Sequence, residues 1–213
     1  MNSLKERIAH AKKALKNVDT KVVTQDGREL MERRASDGSV TTTQVSVRPW
    51  GFVGDLKPDL QMAEIYPRVF LGSQDPAADR ALLHSRHVTH IINVATGIPD
   101  YFPDDFHYLH LHVLDLPTAD LRRHFDRCHE FINAALADAR HGACFVHCNA
   151  GVSRSSSVCI AFLMRKQQIG VVQAFNQVKA ARKAASPNLG FWKQLQDYER
   201  HLENERAKVG VDV

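Results

Sequence analysis

The sequence predicts an α/β protein: a central, mostly parallel, twisted sheet flanked by helices, preceded by a helical and extended N-terminal extension. Three observations point there. Short apolar runs rich in β-branched residues alternate with stretches whose apolar residues recur at helical spacing, the pattern of a sheet covered on both faces. One such run, Ala143-Cys144-Phe145-Val146, leads through a loop of small residues directly into a helical stretch. The apolar fraction of 44% is ordinary for a globular chain, and 213 residues hold one good-sized domain with extensions.

Taken in order, residues 3–16 place Leu4, Ile8, Ala11 and Leu15 at helical spacing beside Lys12, Lys13 and Lys16. This reads as an amphipathic helix, able to dock on the body of the protein or on a partner such as a kinase with an acidic groove. Residues 17–50 read as a hairpin or a linker. Asp26-Gly27 and Asp37-Gly38 are turn signals, and the second precedes a Thr/Val-rich run over residues 40–47. The first 50 residues carry ten basic and six acidic side chains, and so hold the whole net charge of +4. No aromatic residues interleave with them in the manner of a nucleic-acid surface, so a solvated face is the plain reading.

The folded domain is read as residues 58–206, after an extension of residues 1–57 and before a tail of residues 207–213. Within residues 59–73 two short strands meet at Pro67. Residues 76–84 follow as one helix, with Leu82 and Leu83 on its buried side. Residues 88–94 are rich in β-branched residues and read as a central strand. Residues 108–114 alternate apolar and polar, which predicts another strand. Phe125, Cys128, Phe131, Ile132, Ala135 and Leu136 mark a helix face. Val171, Ala174, Phe175, Val178 and Ala181 mark a second, ending near Arg182; Phe191, Leu195, Tyr198 and Leu202 mark the last.

The chemistry concentrates in His147-Cys148-Asn149-Ala150-Gly151-Val152-Ser153-Arg154-Ser155. A strand feeding a small-residue loop and then a helix N-terminus is an anion site, because the first helical N–H groups have no internal partner and carry partial positive charge. The amides of Asn149, Ala150, Gly151, Val152 and Ser153 can curl round a phosphate. Gly151 suits a sharp turn or a close approach. Arg154 can close the ring with a planar fork. Cys148 then points into a cradle of amides beside a cation, which favours the thiolate, the form that attacks phosphorus. His147 supports the loop by hydrogen bonding. Ser155 is placed to donate to the thiolate; its plainer role is to cap the helix.

Phosphoryl transfer to a thiolate also needs an acid for the leaving oxygen and then a base for water. Asp115, 33 residues before Cys148 and just past a predicted strand, lies on a loop at the same sheet edge. Asp120 is the rival, with capping of a helix near Leu121 as its structural alternative. This chemistry requires no cofactor and no metal. Of the four cysteines, Cys128, Cys144 and Cys159 fall on apolar faces, where burial is expected. Cys144 or Cys128 could resolve an oxidised Cys148. No run of about 18 apolar residues exists, and the N-terminus lacks the apolar core of a signal peptide, so the cytosol or nucleus is the expected compartment.

Residues from about 58 to 204 resemble the small, atypical dual-specificity protein phosphatases of the cysteine-dependent protein tyrosine phosphatase superfamily. Three segments carry the resemblance: Leu114-Asp115-Leu116-Pro117 with Phe125 ten residues after Asp115, the 147–155 loop, and Ala181-Arg182-Lys183-Ala184-Ala185-Ser186-Pro187-Asn188-Leu189-Gly190-Phe191 followed by Gln194-Leu195. The resemblance implies a protein tyrosine phosphatase-like fold. It implies Cys148 as nucleophile, Arg154 as phosphate clamp, Asp115 as general acid and Asn188 as a brace of the reactive loop. It also implies a phosphorylated protein substrate, a MAP kinase or a kinase upstream of one. The charge and aromatic patterning implies no nucleic-acid partner, and the lack of a long apolar run no membrane; the oligomeric state is left open. The uncharged Asn149, Ala150, Val152 and Ser153 lack the lysines with which phosphoinositide phosphatases of the superfamily meet extra phosphates. A shallow pocket would admit phosphoserine and phosphothreonine as well as phosphotyrosine. A phosphoprotein-binding scaffold with little turnover is the reading from another class; the complete set Cys148, Arg154, Asp115 and Ser155 weighs against it.

Overall fold

The computed structural model describes residues 20–23, 28–34, 40–47, 58–138 and 141–209. The chain divides into two units, Met1–Gly54 and Asp55–Val213. In the first, β1 (Thr20–Val23), β2 (Arg28–Arg34) and β3 (Val40–Val47) form an antiparallel sheet in the order β1-β2-β3. β2 and β3 pair from Arg34↔Val40 to Arg28↔Val47. The structure therefore favours the hairpin over the linker and adds a third strand. The helix expected over residues 3–16 and both Asp-Gly turns lie outside the described residues.

The second unit is built on a five-stranded sheet with the order β4-β5-β8-β6-β7. β4 (Ala63–Tyr66) is an antiparallel edge strand joined to β5 (Val69–Gly72) by the turn at Pro67. β5, β8 (Ala143–His147), β6 (Val88–Asn93) and β7 (His107–His110) run parallel. β8 is the central strand and every one of its residues is buried. Successive strand side chains point to opposite faces. Hence Ala143 and Phe145 join a cluster with Leu83, Ile91 and Phe106, while Cys144 and Val146 join the larger one on the other face. That larger core packs against α3 (Phe125–Ala137), α4 (Arg154–Gln167), α5 (Val171–Ala181) and α6 (Leu189–Val209). Every residue of α4 from Arg154 to Met164 is buried, so this helix is the core of its layer.

Two elements differ from expectation. Residues 76–84 do not form one helix. α1 (Gln74–Ala77) and α2 (Arg80–Ser85) are separated because Asp79 takes extended backbone and its carboxylate accepts from Leu82 N at 3.0 Å, starting a new helix. Leu83 is buried but Leu82 only half so. The strand predicted over 108–114 ends at His110. Leu111 N still reaches Asn93 O at 2.8 Å, but β6 ends at Asn93 and offers no further ladder. Burial continues to alternate, with Leu111 and Val113 buried and His112 and Leu114 exposed. That alternation is why the sequence reads as strand beyond the point where pairing stops. The chain is thus released to carry Asp115 to the carboxyl edge of the sheet, where such sheets bind ligands.

Candidate active site

The reactive loop, residues 148–153, joins the end of β8 to the start of α4. Its orientation is set by what its carbonyls meet. Cys148 O receives the His147 Nδ1–H at 3.3 Å, and Asn149 O receives Gln74 N at 3.0 Å. Ala150 O and Gly151 O each receive the Arg182 guanidinium at 2.7 Å, from Nη2 and Nε. Val152 O receives Ser186 N at 2.8 Å. In a planar trans peptide the N–H points opposite to the C=O. The amides of Asn149, Ala150, Gly151, Val152 and Ser153 therefore face away from these donors. Together with the N-terminus of α4 they form a concave set of N–H groups suited to an anion. Gly151 has φ +65, and a Cβ there would collide with the Gly72 carbonyl, so the tight return of the loop against β5 needs glycine.

His147 is fully buried, and burial pushes its imidazole down to about 4. It is neutral near pH 7, with the proton on Nδ1 to serve the Cys148 carbonyl. Cys148 Sγ lies 3.1 Å from Ser155 Oγ, within reach of a hydroxyl donor. The other three cysteines are buried in the core, and burial raises their thiols, that of Cys128 to about 12 and those of Cys144 and Cys159 well above the ordinary value. They stay protonated, the form that attacks an oxidised sulfur slowly.

Arg154 is 8% exposed, on the first turn of α4. Its Nη1 donates to Val113 O at 3.0 Å and its Nη2 to Asn149 Oδ1 at 2.7 Å. Its Nε makes no hydrogen bond among the described residues and stands 3.6 Å from Asp115 Oδ2. Asp115 Oδ1 accepts from Ser153 Oγ at 2.7 Å and from Asn188 Nδ2 at 2.8 Å. One carboxylate oxygen is thereby held and the other turned to Arg154. Asp120 instead accepts from Arg123 N at 3.3 Å, an exposed local bond at the start of the short 3-10 turn Arg122–His124. So the structure brings Cys148, Arg154, Ser155, Asp115 and Asn188 to one loop and leaves Asp120 outside it.

Asn188 does more than brace the loop. Its Oδ1 accepts from Phe191 N at 2.9 Å, capping α6, while its Nδ2 holds Asp115. The rest of that first turn holds the Asp115 segment too. A Cβ on Gly190 would collide with the Pro117 backbone. Gln194 Oε1 accepts from Leu121 N and Arg122 N, both at 2.9 Å, and its Nε2 donates to Ala119 O at 2.7 Å. Sequence reasoning missed the support behind the loop. Arg182 is 1% exposed and pairs with Asp59 Oδ2 at 2.6 Å, and Asp59 also caps its own turn by accepting from Gln61 N at 3.1 Å. The available signals were its place in the 181–191 segment that carries the resemblance and a charged residue at the end of α5, just where its apolar face enters the core.

The family model described as dual specificity phosphatase, catalytic domain, matches residues 69–201. The chain belongs to the dual-specificity phosphatases. Among curated relatives, mouse dual specificity protein phosphatase 19 is 39% identical over 202 residues, covering 93% of this chain and 91% of its own. Among solved structures, human DUSP28 matches with TM-score 0.63 and 37% identity over 67% of this chain and 95% of its own. The human tyrosine phosphatase-like serine/threonine/tyrosine-interacting protein matches with TM-score 0.63 and 35% identity over 66% of this chain and 96% of its own. As a dual-specificity phosphatase the chain is an enzyme of phosphoester hydrolysis, and the loop just described falls inside the matched domain.

Proposed function

We propose that this phosphatase hydrolyses phosphotyrosine and phosphoserine or phosphothreonine in proteins through a cysteinyl-phosphate intermediate. The observation that carries the reading is the convergence of Cys148 Sγ, the inward amides, Arg154 and Asp115 on one loop. Cys148 thiolate attacks phosphorus, forming the S–P bond as the bond to the substrate oxygen breaks. Arg154 and the loop amides hold the non-bridging oxygens as their charge redistributes. Asp115, with Oδ1 fixed by Ser153 and Asn188, gives a proton from Oδ2 to the leaving oxygen. The same carboxylate then takes a proton from water, whose oxygen attacks phosphorus and expels the thiolate. The Ser155 hydroxyl donates to that leaving sulfur. His147, Asn188 and the remaining loop residues position these groups.

The uncharged Asn149, Ala150, Val152 and Ser153 favour a single phosphate on a protein over a polyphosphorylated lipid. The motif resemblance supports a substrate among mitogen- and stress-activated kinases or the kinases upstream of them, met in the cytosol or nucleus. A second reading, phosphoprotein binding with little turnover, is favoured by one observation: the fold is shared with a protein described as tyrosine phosphatase-like and interacting. The presence of all of Cys148, Arg154, Asp115 and Ser155 supports turnover instead.

The test is a doubly phosphorylated Thr/Tyr activation-loop peptide with EDTA present, comparing wild type, Cys148→Ser and Asp115→Ala. Release of both phosphates by wild type, none by Cys148→Ser and a large drop in Asp115→Ala is the expected result. Retained binding without turnover by freshly reduced wild type would transfer the assignment to the binding reading.

A further inference from the structure

Three of the six large hydrophobic side chains exposed among the described residues bracket one carboxylate. Leu114 is 54% exposed, Leu116 50% and Leu189 86%. Leu114 and Leu116 are the chain neighbours of Asp115, and Leu189 follows Asn188, whose amide holds Asp115 at 2.8 Å. A single exposed leucine is ordinary, but several at one functional edge mark a contact surface. The segment bearing Leu189 runs along the reactive loop, since Ser186 N bonds Val152 O at 2.8 Å and Asn188 N bonds Ser153 Oγ at 3.1 Å. The half-buried Val152 side chain and the exposed Ala150 continue the uncharged lining.

The occupant follows from the chemistry. Resting on the phosphatase reading above, a phosphoryl group over Cys148 must place its leaving oxygen at Asp115. The residues on either side of the phosphorylated one then pass the leucines. The rim is also built in advance: Leu116 O accepts from Ala119 N at 3.0 Å, Pro117 packs on Gly190, and Gln194 holds the stretch beyond. A preformed rim loses little freedom on binding.

We propose that Leu114, Leu116 and Leu189 form a specificity surface that selects phosphopeptides with an aliphatic or aromatic residue directly beside the phosphorylated one. The test uses two phosphotyrosine peptides identical except for leucine or serine at both flanking positions. Wild type should favour the leucine peptide in kcat/KM by about tenfold, the low end for an apolar contact because the rim is open to water. Leu189→Ser should reduce that ratio, and the triple variant with serine at all three positions should bring it near one. Turnover of p-nitrophenyl phosphate, which has no flanking residues, should stay within about twofold throughout, showing that fold and chemistry are intact. Binding of both peptides to Cys148→Ser should show the same preference without turnover. An unchanged preference in the triple variant overturns the proposal. So does a concentration-dependent dimer in sedimentation that the triple variant abolishes while the peptide ratio stays put, since a second copy would then cover the rim. Failure of wild type to hydrolyse p-nitrophenyl phosphate would instead strike at the phosphatase reading, and the binding ratio would still decide for or against the rim.

Discussion

Arg154 and Arg182 are both buried cations at residues 148–153, and they use their guanidinium groups in opposite ways. Arg182 directs its donors to protein acceptors: two loop carbonyls, the Asp59 carboxylate and, at 3.3 Å, Gln61 Oε1. Arg154 is held by Val113 O and Asn149 Oδ1 but, among the described residues, keeps Nε without a hydrogen bond, facing Asp115. One arginine shapes the cradle from behind; the other is the one proposed to meet a phosphate. The difference teaches where rigidity and reactivity are placed. The rear of the loop is saturated so that its amides stay turned into the cradle, and the front keeps a guanidinium N–H without a hydrogen bond among the described residues. Preorganised donors of this kind cost no rearrangement when charge develops.

That division can be broken experimentally. Arg154→Lys keeps the charge and loses the fork, so kcat/KM on an aryl phosphate should fall by about 10³-fold with thermal stability little changed. Asp115→Asn should lower kcat/KM, which reports the steps up to release of the first product, by about 10²-fold for a substrate with a poor leaving group and much less for p-nitrophenyl phosphate, whose leaving group needs no proton. Arg182→Met should act mainly on folding, lowering unfolding free energy by about 3 kcal/mol in denaturant titration, the low end for a broken buried pair because the Asp59 side chain is 41% exposed and partly screened. A 10³-fold rate loss in Arg182→Met with unchanged stability would erase the distinction between the two arginines.

His147 sharpens the same contrast through pH. Burial keeps it neutral in the folded state down to about 4, whereas the unfolded chain takes up the proton near 6.5. The unfolded state therefore binds more protons across that window. Its contribution to stability is complete above about pH 6.5 and is lost as pH falls toward 4, up to about 3 kcal/mol in all. Melting temperature measured against pH should fall less steeply in His147→Gln, with the remaining slope including that from His129, also pushed down to about 4 by burial. The smallest expected effect is Asn188→Ala, about 1 kcal/mol for the lost cap on α6, together with a several-fold fall in kcat as Asp115 loses a partner; calorimetry and steady-state rates check the two halves.

The arrangement of the reactive loop was legible in the sequence because it is contiguous: nine residues carry the cysteine, amides, glycine and arginine, and the flanking apolar runs place them between strand and helix. The faces of α3, α5 and α6 were legible for the same local reason. The rear was not. Arg182 reaches Gly151 across 31 residues and Asp59 across 123, so its role depends on the sheet and helices being in place. The two misread elements failed for distinct causes. Asp79 offered the backbone a side-chain acceptor and restarted the helix. Residues 111–114 kept the burial rhythm of a strand after their partner strand had ended. β1 has no strong alternation and emerges only from its pairing with β2.

The most direct measurement is rapid acid quench of wild type and Ser155→Ala reacting with p-nitrophenyl phosphate, with mass spectrometry of the peptide containing Cys148. A phosphate on Cys148 sulfur, accumulating further in Ser155→Ala because the thiolate leaves more slowly, is the predicted result. Product formation at the normal rate with Cys148 unmodified at every time point, or turnover by Cys148→Ser, would contradict it.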